Sequence, residues 1–160
     1  MPSLEAVEPD FANTASRTVV VERTIDATPS DLWSIIADNA GWPAWFPGMK
    51  RCDTTSAMAT GVGATRTVKV GALEAEERFV AWDAPRVWAF CVTRTNIPIA
   101  SKMYEQLELE PADGGTLVRY TGAFEPHRLN RLVFGLIEKN VRGAWTKGLD
   151  GLAARAAENA

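Results

Sequence analysis

The segment PHRLNRLVFGLIEKNVRGAWTKGLDGLAARAA, residues 126–157, predicts one long amphipathic helix near the end of the chain. Its apolar side chains recur at spacings of three and four, the period of one buried helix face. That stripe comprises Leu129, Leu132, Val133, Leu136, Ile137, Val141, Ala144, Trp145, Leu149, Leu152 and Ala156. Gly135, Gly143, Gly148 and Gly151 interrupt the helix, although each glycine costs about 0.5–1 kcal/mol relative to alanine. Two interpretations are open: the helix backbone approaches a sheet closely, or room is left beneath it for a bound molecule.

Composition limits the classes of partner. The chain has 160 residues, of which 46% are hydrophobic and 23% charged, and its net charge is −3. These values suit a single globular domain, and without a sustained basic run we expect no nucleic-acid partner. The cations of the final segment predict a solvated helix face, with membrane contact as the alternative. They are Arg128, Arg131, Lys139, Arg142 and Lys147.

The sequence contains neither a set of metal ligands nor a transmembrane segment. One histidine, His127, and two cysteines outside any CxxC pair make no zinc set, so we expect neither a metal nor a cofactor. No apolar run is long enough for a transmembrane span, so we expect no stable membrane insertion. The composition favours a cytoplasmic protein. The oligomeric state stays open.

The chain before residue 49 divides into three parts. Residues 1–16 lack periodicity and predict a flexible or loosely docked N-terminal arm, followed by a single domain over residues 17–158. A Val-rich strand runs from Arg17 to Asp26, and a short helix follows, with Thr28 or Ser30 as its cap. The proline- and glycine-rich segment 41–48 allows only a short helical turn.

Six further strands are predicted between residues 49 and 124 because turn residues separate short β-favouring runs. They are Lys50–Ala57, Gly63–Val70, Ala72–Trp82, Arg86–Thr95, Ser101–Glu110 and Thr116–Phe124. A long helix of this kind must pack on a sheet that curves around it. The predicted class is α+β: a curved antiparallel sheet of about seven strands around the C-terminal helix, with two short helices after the first strand.

Several stretches resemble one known superfamily. They are Thr28-Pro29-Ser30-Asp31-Leu32-Trp33, Trp42-Pro43-Ala44-Trp45-Phe46-Pro47, Trp82-Asp83-Ala84-Pro85-Arg86 and Gly114-Gly115-Thr116. Their order and spacing resemble the START / polyketide-cyclase (SRPBCC) superfamily, in particular its polyketide cyclase/dehydrase branch, over residues 17–157. The resemblance implies a helix-grip fold with a deep cavity between sheet and helix. It also implies an apolar ligand, and for some members cyclase, dehydratase or aromatase activity.

Strand alternation predicts which side chains face the apolar side of the sheet. Arg66, Arg94 and Glu105 share faces with large apolar residues. Glu77 joins them if Phe79 rather than Val80 sets the inward phase of its strand. A buried ion costs several kcal/mol unless it is paired. These groups therefore lie at strand ends, pair with one another or are turned outward by a bulge, or else they form a polar site in the cavity. The catalytic candidates for an enzyme are Glu105, Tyr120 and Arg94.

The predicted ligand contacts combine the sheet and helix faces. They are Arg66, Phe79, Trp88, Phe90, Met103, Glu105, Tyr120, Leu136, Asn140 and Ala144. Trp45, Phe46 and Ile97 are predicted either to gate the cavity or to pack in the core. The leading hypothesis is binding or transport of a hydrophobic small molecule such as a lipid, fatty acyl chain or polyketide. A cyclase/dehydrase-type enzyme is the alternative, and an interaction module without a ligand is the second.

Overall fold

The computed structural model describes residues 1–160 as seven strands, two α-helices and three short 3-10 turns. The strands are β1 Arg17–Ile25, β2 Met49–Thr54, β3 Thr65–Val70, β4 Leu73–Asp83, β5 Val87–Thr95, β6 Ala100–Ala112 and β7 Gly115–Pro126. The helices are α1 Pro29–Ile36 and α2 Phe134–Asn159, and the 3-10 turns are Pro9–Asn13, Asn39–Ala44 and Arg128–Asn130. The predicted order of elements is confirmed.

All seven strands form one antiparallel sheet in the order β1-β7-β6-β5-β4-β3-β2. The first strand therefore pairs with the last, while β2 forms the opposite edge. The main core of 31 buried residues combines side chains from the sheet, both helices and the segment after α1. This is the predicted helix-grip arrangement, in which a curved sheet holds the C-terminal helix.

Local chemistry explains how α1 begins and how the next segment returns to the core. The Thr28 hydroxyl accepts a hydrogen bond from the Asp31 amide at 3.1 Å, and Pro29 occupies the first turn. After α1, the Trp42 indole donates to the Ile36 carbonyl at 2.9 Å. That bond folds the aromatic segment back over the end of α1.

The final helix begins later than predicted. Residues 128–130 form a 3-10 turn, and α2 starts only at Phe134, which is buried. From there the buried stripe continues through Trp145, Leu149, Leu152 and Ala156. The prediction that Leu129, Leu132, Val133 and Leu136 belong to the buried stripe is wrong, since all four are exposed. Leu136 is two residues from Phe134, so it lies on the opposite side of the helix.

The expected N-terminal arm, residues 1–16, is docked on the sheet. Pairing between β5 and β6 stops at Cys91 and Tyr104, and the chain start fills the gap beyond them. The Leu4 amide donates to the Thr93 carbonyl and the Glu5 amide to the Ser101 carbonyl, both at 2.9 Å. Further along the arm, Val7 and Phe11 are buried in a second hydrophobic cluster of seven residues.

Candidate functional site

A cavity of about 200 Å³ lies between the sheet and the N-terminal half of α2. Eighteen residues line it, and fifteen of them are hydrophobic. The exceptions are Arg66, Glu77 and Glu105, which come from three different strands. The hydrophobic lining consists of Trp42, Phe46, Met49, Val68, Val70, Leu73, Phe90, Ile97, Ile99, Met103, Tyr120, Phe124, Val141, Ala144 and Trp145.

Arg66 is the most deeply buried charge in the protein, with 1% of its surface exposed. Its Nε atom donates to Glu77 Oε2 at 2.6 Å, and its Nη1 atom donates to Asn39 Oδ1 at 3.1 Å. Neither bond uses Nη2, and Arg66 also borders the cavity. Burial alone would lower the pKa of Arg66, but the Glu77 carboxylate raises it above its ordinary value, so the guanidinium stays charged.

Aromatic rings surround the same guanidinium. Its central carbon lies 4.7 Å from the ring centroid of Trp42, 4.9 Å from Trp88, and 5.2 Å from Phe79 and Phe90. Aromatic faces attract cations most strongly where water is excluded. The rings and Glu77 together hold the cation rigidly in one place.

Glu105 and Tyr120 form the second polar contact of the cavity. The Tyr120 hydroxyl donates to Glu105 Oε2 at 2.5 Å. Burial, with a smaller contribution from the Glu77 charge, raises the pKa of Glu105 to about 8. Burial and the Glu105 carboxyl raise the pKa of Tyr120 well above its ordinary value. At neutral pH Glu105 is therefore mainly a neutral acid, with one O–H donor that Tyr120 does not use.

The electrostatic balance of the site follows from these protonation states. Burial raises the pKa of Glu77, while Arg66 acts in the opposite direction through a 2.6 Å ion pair. Arg66 and Glu77 offset each other, and Glu105 is neutral. The polar end of the cavity therefore carries donors and acceptors but no net charge.

Eight of the residues predicted from the sequence line this cavity. They are Phe46, Arg66, Phe90, Ile97, Met103, Glu105, Tyr120 and Ala144. Phe79 and Trp88 are buried in the core, where they face the Arg66 guanidinium but do not border the cavity. Their effect on a ligand is therefore indirect, through the position of Arg66.

The predicted inward orientation of Arg94 is wrong. Its register partner is Glu76, yet the next pair along the strands is Glu77 with Val92, so Thr93 is an extra residue in β5. Such a bulge reverses the alternation of side chains beyond it. Arg94 consequently lies on the outer surface, where it pairs with Glu76 at 3.3 Å. It is not a catalytic candidate.

The predicted inward positions of Leu136 and Asn140 are also wrong, because both residues are exposed and neither borders the cavity. The helix instead contributes Val141, Ala144 and Trp145 to the cavity wall. The sequence contained the correct inward face, since Val141, Ala144 and Trp145 continue the apolar stripe that reaches Leu149 and Leu152. The predicted stripe included every apolar residue of the helix, so it covered both this inward face and the exposed Leu136.

Two of the helix glycines allow a close approach of the α2 backbone, as in the first of the two interpretations. The neighbour that they approach is the aromatic segment after α1 and not the sheet. A Cβ atom at Gly151 would lie 2.0 Å from the Trp45 carbonyl oxygen, and one at Gly148 would lie 2.7 Å from the Phe46 ring. At Gly143 and Gly135 it would meet nothing within 4 Å. The first two glycines let α2 approach the aromatic segment after α1. Gly143 is exposed and does not border the cavity.

Trp45 does not line the cavity, and its predicted role as a gate finds no geometric support. It borders a larger depression of about 630 Å³ between α1 and the end of α2. That depression is lined mostly by polar residues, including Asp26, Asp31 and Asp38. The smaller cavity is the better candidate site, because it combines an apolar lining with a buried ion pair and the Glu105 carboxyl.

Asn39 is a site residue that the sequence did not reveal. It is the first residue of the 3-10 turn Asn39–Ala44, and its buried side chain accepts from Arg66 and donates to Thr54 Oγ1 at 2.9 Å. An isolated asparagine before Gly41 predicts a turn, and no local signal connects it to a strand arginine far along the chain.

The fold and cavity define a helix-grip protein with a mainly apolar cavity between sheet and helix. The model of the family "Polyketide cyclase / dehydrase and lipid transport" matches residues 16–157, and the chain belongs to this family. A curated relative is an uncharacterized protein of Mycobacterium tuberculosis, 27% identical over 122 residues, which cover 74% of this chain and 72% of the relative.

Two solved structures share the fold. The Zhui aromatase/cyclase from Streptomyces sp. R1128 superposes with a TM-score of 0.75 at 18% identity, covering 88% of this chain and 93% of that one. The protein TTHA0849 from Thermus thermophilus gives a TM-score of 0.76 at 18% identity, covering 90% of this chain and 99% of that one. No helix of the present chain is both long and apolar enough to cross a membrane.

Proposed function

We propose that the chain binds a small, mainly apolar molecule whose polar group is an uncharged carbonyl or hydroxyl. The observation that carries this proposal is the combination of a hydrophobic lining with an electroneutral polar end formed by Arg66, Glu77 and Glu105. Buried polar groups need partners. A ligand carbonyl would accept from Arg66 Nη2 or from neutral Glu105, and a ligand hydroxyl could also donate to the carboxyl oxygens.

Charge balance argues against an ionised ligand group. A carboxylate in this cavity would add a negative charge beside the Glu77 carboxylate, while the one cation is already paired at 2.6 Å. Burying an ion without a free counter-ion costs several kcal/mol. Among the ligand classes expected from the sequence, ketone- or phenol-bearing molecules of polyketide type are therefore favoured over free fatty acids.

Cavity size supports a compact ligand. The volume of about 200 Å³ lies below the range of roughly 300–1,000 Å³ that is usual for drug-sized ligands. It is nevertheless far larger than the share of one water, which argues against a filled core that serves only as an interaction module. One or two fused rings, or a short acyl chain, would suit this space.

The binding proposal is tested with two probes of similar shape and different charge, acetonaphthone and naphthoate. Isothermal titration at neutral pH should show the neutral ketone binding at least about tenfold more tightly than the carboxylate. Equal affinities, or no binding of either probe, would contradict the proposal. Trp42 and Trp145 border the cavity, so intrinsic fluorescence offers a second readout.

A matched pair of helix variants locates the binding site. Ala144 and Ala154 are both exposed residues of α2, but only Ala144 borders the cavity. Ala144→Phe should fill part of the cavity and weaken ketone binding, and Ala154→Phe should leave it unchanged. If both variants bind like the parent protein, the ligand lies elsewhere.

The second candidate function is an enzyme of the cyclase/dehydrase type in the same cavity. The specific observation in its favour is the 2.5 Å contact between Tyr120 and Glu105, together with a Glu105 pKa raised to about 8. A carboxyl that titrates near neutral pH is suited to exchange protons with a bound carbonyl or hydroxyl. Glu105→Gln and Tyr120→Phe should abolish turnover of a poly-ketone substrate while ketone affinity stays within about threefold. Unchanged turnover would exclude this function.

A further inference from the structure

We propose that the protein docks on anionic lipid membranes through an exposed apolar surface at the mouth of its cavity. This surface, the apolar rim, consists of Leu129, Leu132, Val133, Leu136 and Ile97. It lies on the 3-10 turn before α2, the first turn of α2 and the loop between β5 and β6.

The exposure of the rim is unusual for aliphatic side chains. Leu132 is 97% exposed, Leu129 92%, Leu136 64% and Val133 54%. Single exposed apolar residues are common on protein surfaces, but contiguous groups mark interaction sites. Four such residues within eight positions of the chain form a contiguous group.

The rim is joined to the cavity mouth. Ile97 is 40% exposed and also lines the cavity, so one side chain belongs to both surfaces. The Asn130 side chain donates to the Ile99 carbonyl at 3.0 Å, which fixes the rim turn against the β5–β6 loop. A membrane that covers the rim would therefore lie next to the route by which an apolar ligand enters.

The charges beside the rim select an anionic partner. The protein has a net charge of −3, yet residues 127–142 contain four cations and one anion. That anion, Glu138, pairs with Arg17, and Glu125 pairs with Arg131. Arg128 and Lys139 make no ion pair with the protein. Exposed apolar side chains flanked by unpaired cations match the two components of an anionic lipid surface, acyl chains and phosphate headgroups.

The same charges disfavour a second copy of the chain as the occupant. A symmetric dimer through the rim would place like patches against each other and bring Arg128 and Lys139 near their own copies. Like charges juxtaposed at an interface oppose association. A lipid surface offers the opposite charge instead.

The test is flotation of the full chain with vesicles, without added ligand. One set of vesicles contains phosphatidylcholine and phosphatidylglycerol in equal parts, and the other contains phosphatidylcholine alone. The protein should float with the anionic vesicles, and added salt should weaken that association because it screens the charges. No flotation with the anionic vesicles would overturn the proposal.

Matched variants identify the surface. The double variant L129S/L132S should lower the partition coefficient about tenfold or more. The control M58S/V62S changes two residues that are 58% and 61% exposed in the β2–β3 loop, at the opposite end of the sheet, and should float like the parent. Equal flotation of the rim and control variants would overturn the proposal.

Charge variants and a mass measurement complete the test. R128E/K139E should remove the preference for anionic vesicles, whereas R86E, in the exposed β4–β5 turn, should keep it. If analytical ultracentrifugation shows a dimer that L129S/L132S dissociates while flotation is unaffected, the occupant is a second copy and the membrane proposal is wrong. Because no ligand is used, this outcome is independent of the ketone titrations.

Discussion

The indole ring of Trp145 lies nearly parallel to the phenol ring of Tyr120, with ring centroids 4.2 Å apart and an angle of 22° between the planes. This stack joins α2 to β7 at the cavity wall. The hydroxyl of the same tyrosine donates to Glu105. The position of the helix and the orientation of the buried acid are therefore coupled through one side chain.

Gly122→Ala should disturb this stack. A Cβ atom at residue 122 would lie 2.2 Å from Trp145 Cη2 and 2.9 Å from Phe124, so the indole must move. We expect a loss of about 1–3 kcal/mol in the free energy of unfolding, as for other overpacked cores. Urea denaturation followed by tryptophan fluorescence measures this loss, and a variant as stable as the parent would show that the helix shifts freely.

Alanine substitutions at two of the helix glycines should change the stability of the protein in opposite directions. Gly151→Ala should destabilise the protein by at least about 1 kcal/mol, because its methyl group would meet the Trp45 carbonyl oxygen at 2.0 Å. Gly143→Ala meets no neighbour within 4 Å and should stabilise the helix by about 0.5–1 kcal/mol. Thermal unfolding of both variants makes the comparison. Stabilisation by both would contradict the close approach at residue 151.

Breaking the buried ion pair should be more costly than removing it entirely. Arg66→Met leaves Glu77 buried without its cation and should cost about 3–5 kcal/mol in the free energy of unfolding. The double variant Arg66→Met/Glu77→Leu should cost less than the sum of the two single changes. Arg86→Met, from the exposed pair Arg86–Asp83, is the control and should change stability by less than about 1 kcal/mol. Additive single-variant effects in a double-mutant cycle would rule out the coupling.

Stability should fall as pH rises through the titration of Glu105. Its pKa is about 8 in the folded protein against an ordinary value of 4.5, so above 4.5 the unfolded chain releases a proton that the folded protein retains. Rising pH therefore favours unfolding across this window, and the total effect is on the order of a few kcal/mol. Glu105→Gln should flatten the dependence. A parent protein that gains stability from pH 5 to pH 8, about the limits of this window, would contradict the raised pKa.

The sheet was largely predictable because its patterning is local. The period of two placed Arg66, Glu105 and Tyr120 on the same face as large apolar residues, and all three line the cavity. The same rule failed for Arg94, since the extra residue Thr93 reverses the alternation. A bulge depends on how two strands pair, so the residue pattern of a single strand does not predict it.

The presence of the final helix was predictable, but the face that it buries was not. A repeat of three and four is consistent with several overlapping stripes when apolar residues are abundant. Only the sheet selects among them, and it selects Phe134 and Trp145 rather than Leu136. The leucines excluded from the core then became the exposed rim.

The order of strands and helices, the helix-grip class and the inward face of most strands follow from the sequence, because they depend on neighbours two to four residues apart. The chemistry of the cavity depends on groups that are distant in the chain. Arg66 on β3, Glu77 on β4, Glu105 on β6 and Tyr120 on β7 meet only after the sheet has closed over α2. Their burial and mutual distances decide which of them carries a charge, so tertiary packing made this site electroneutral.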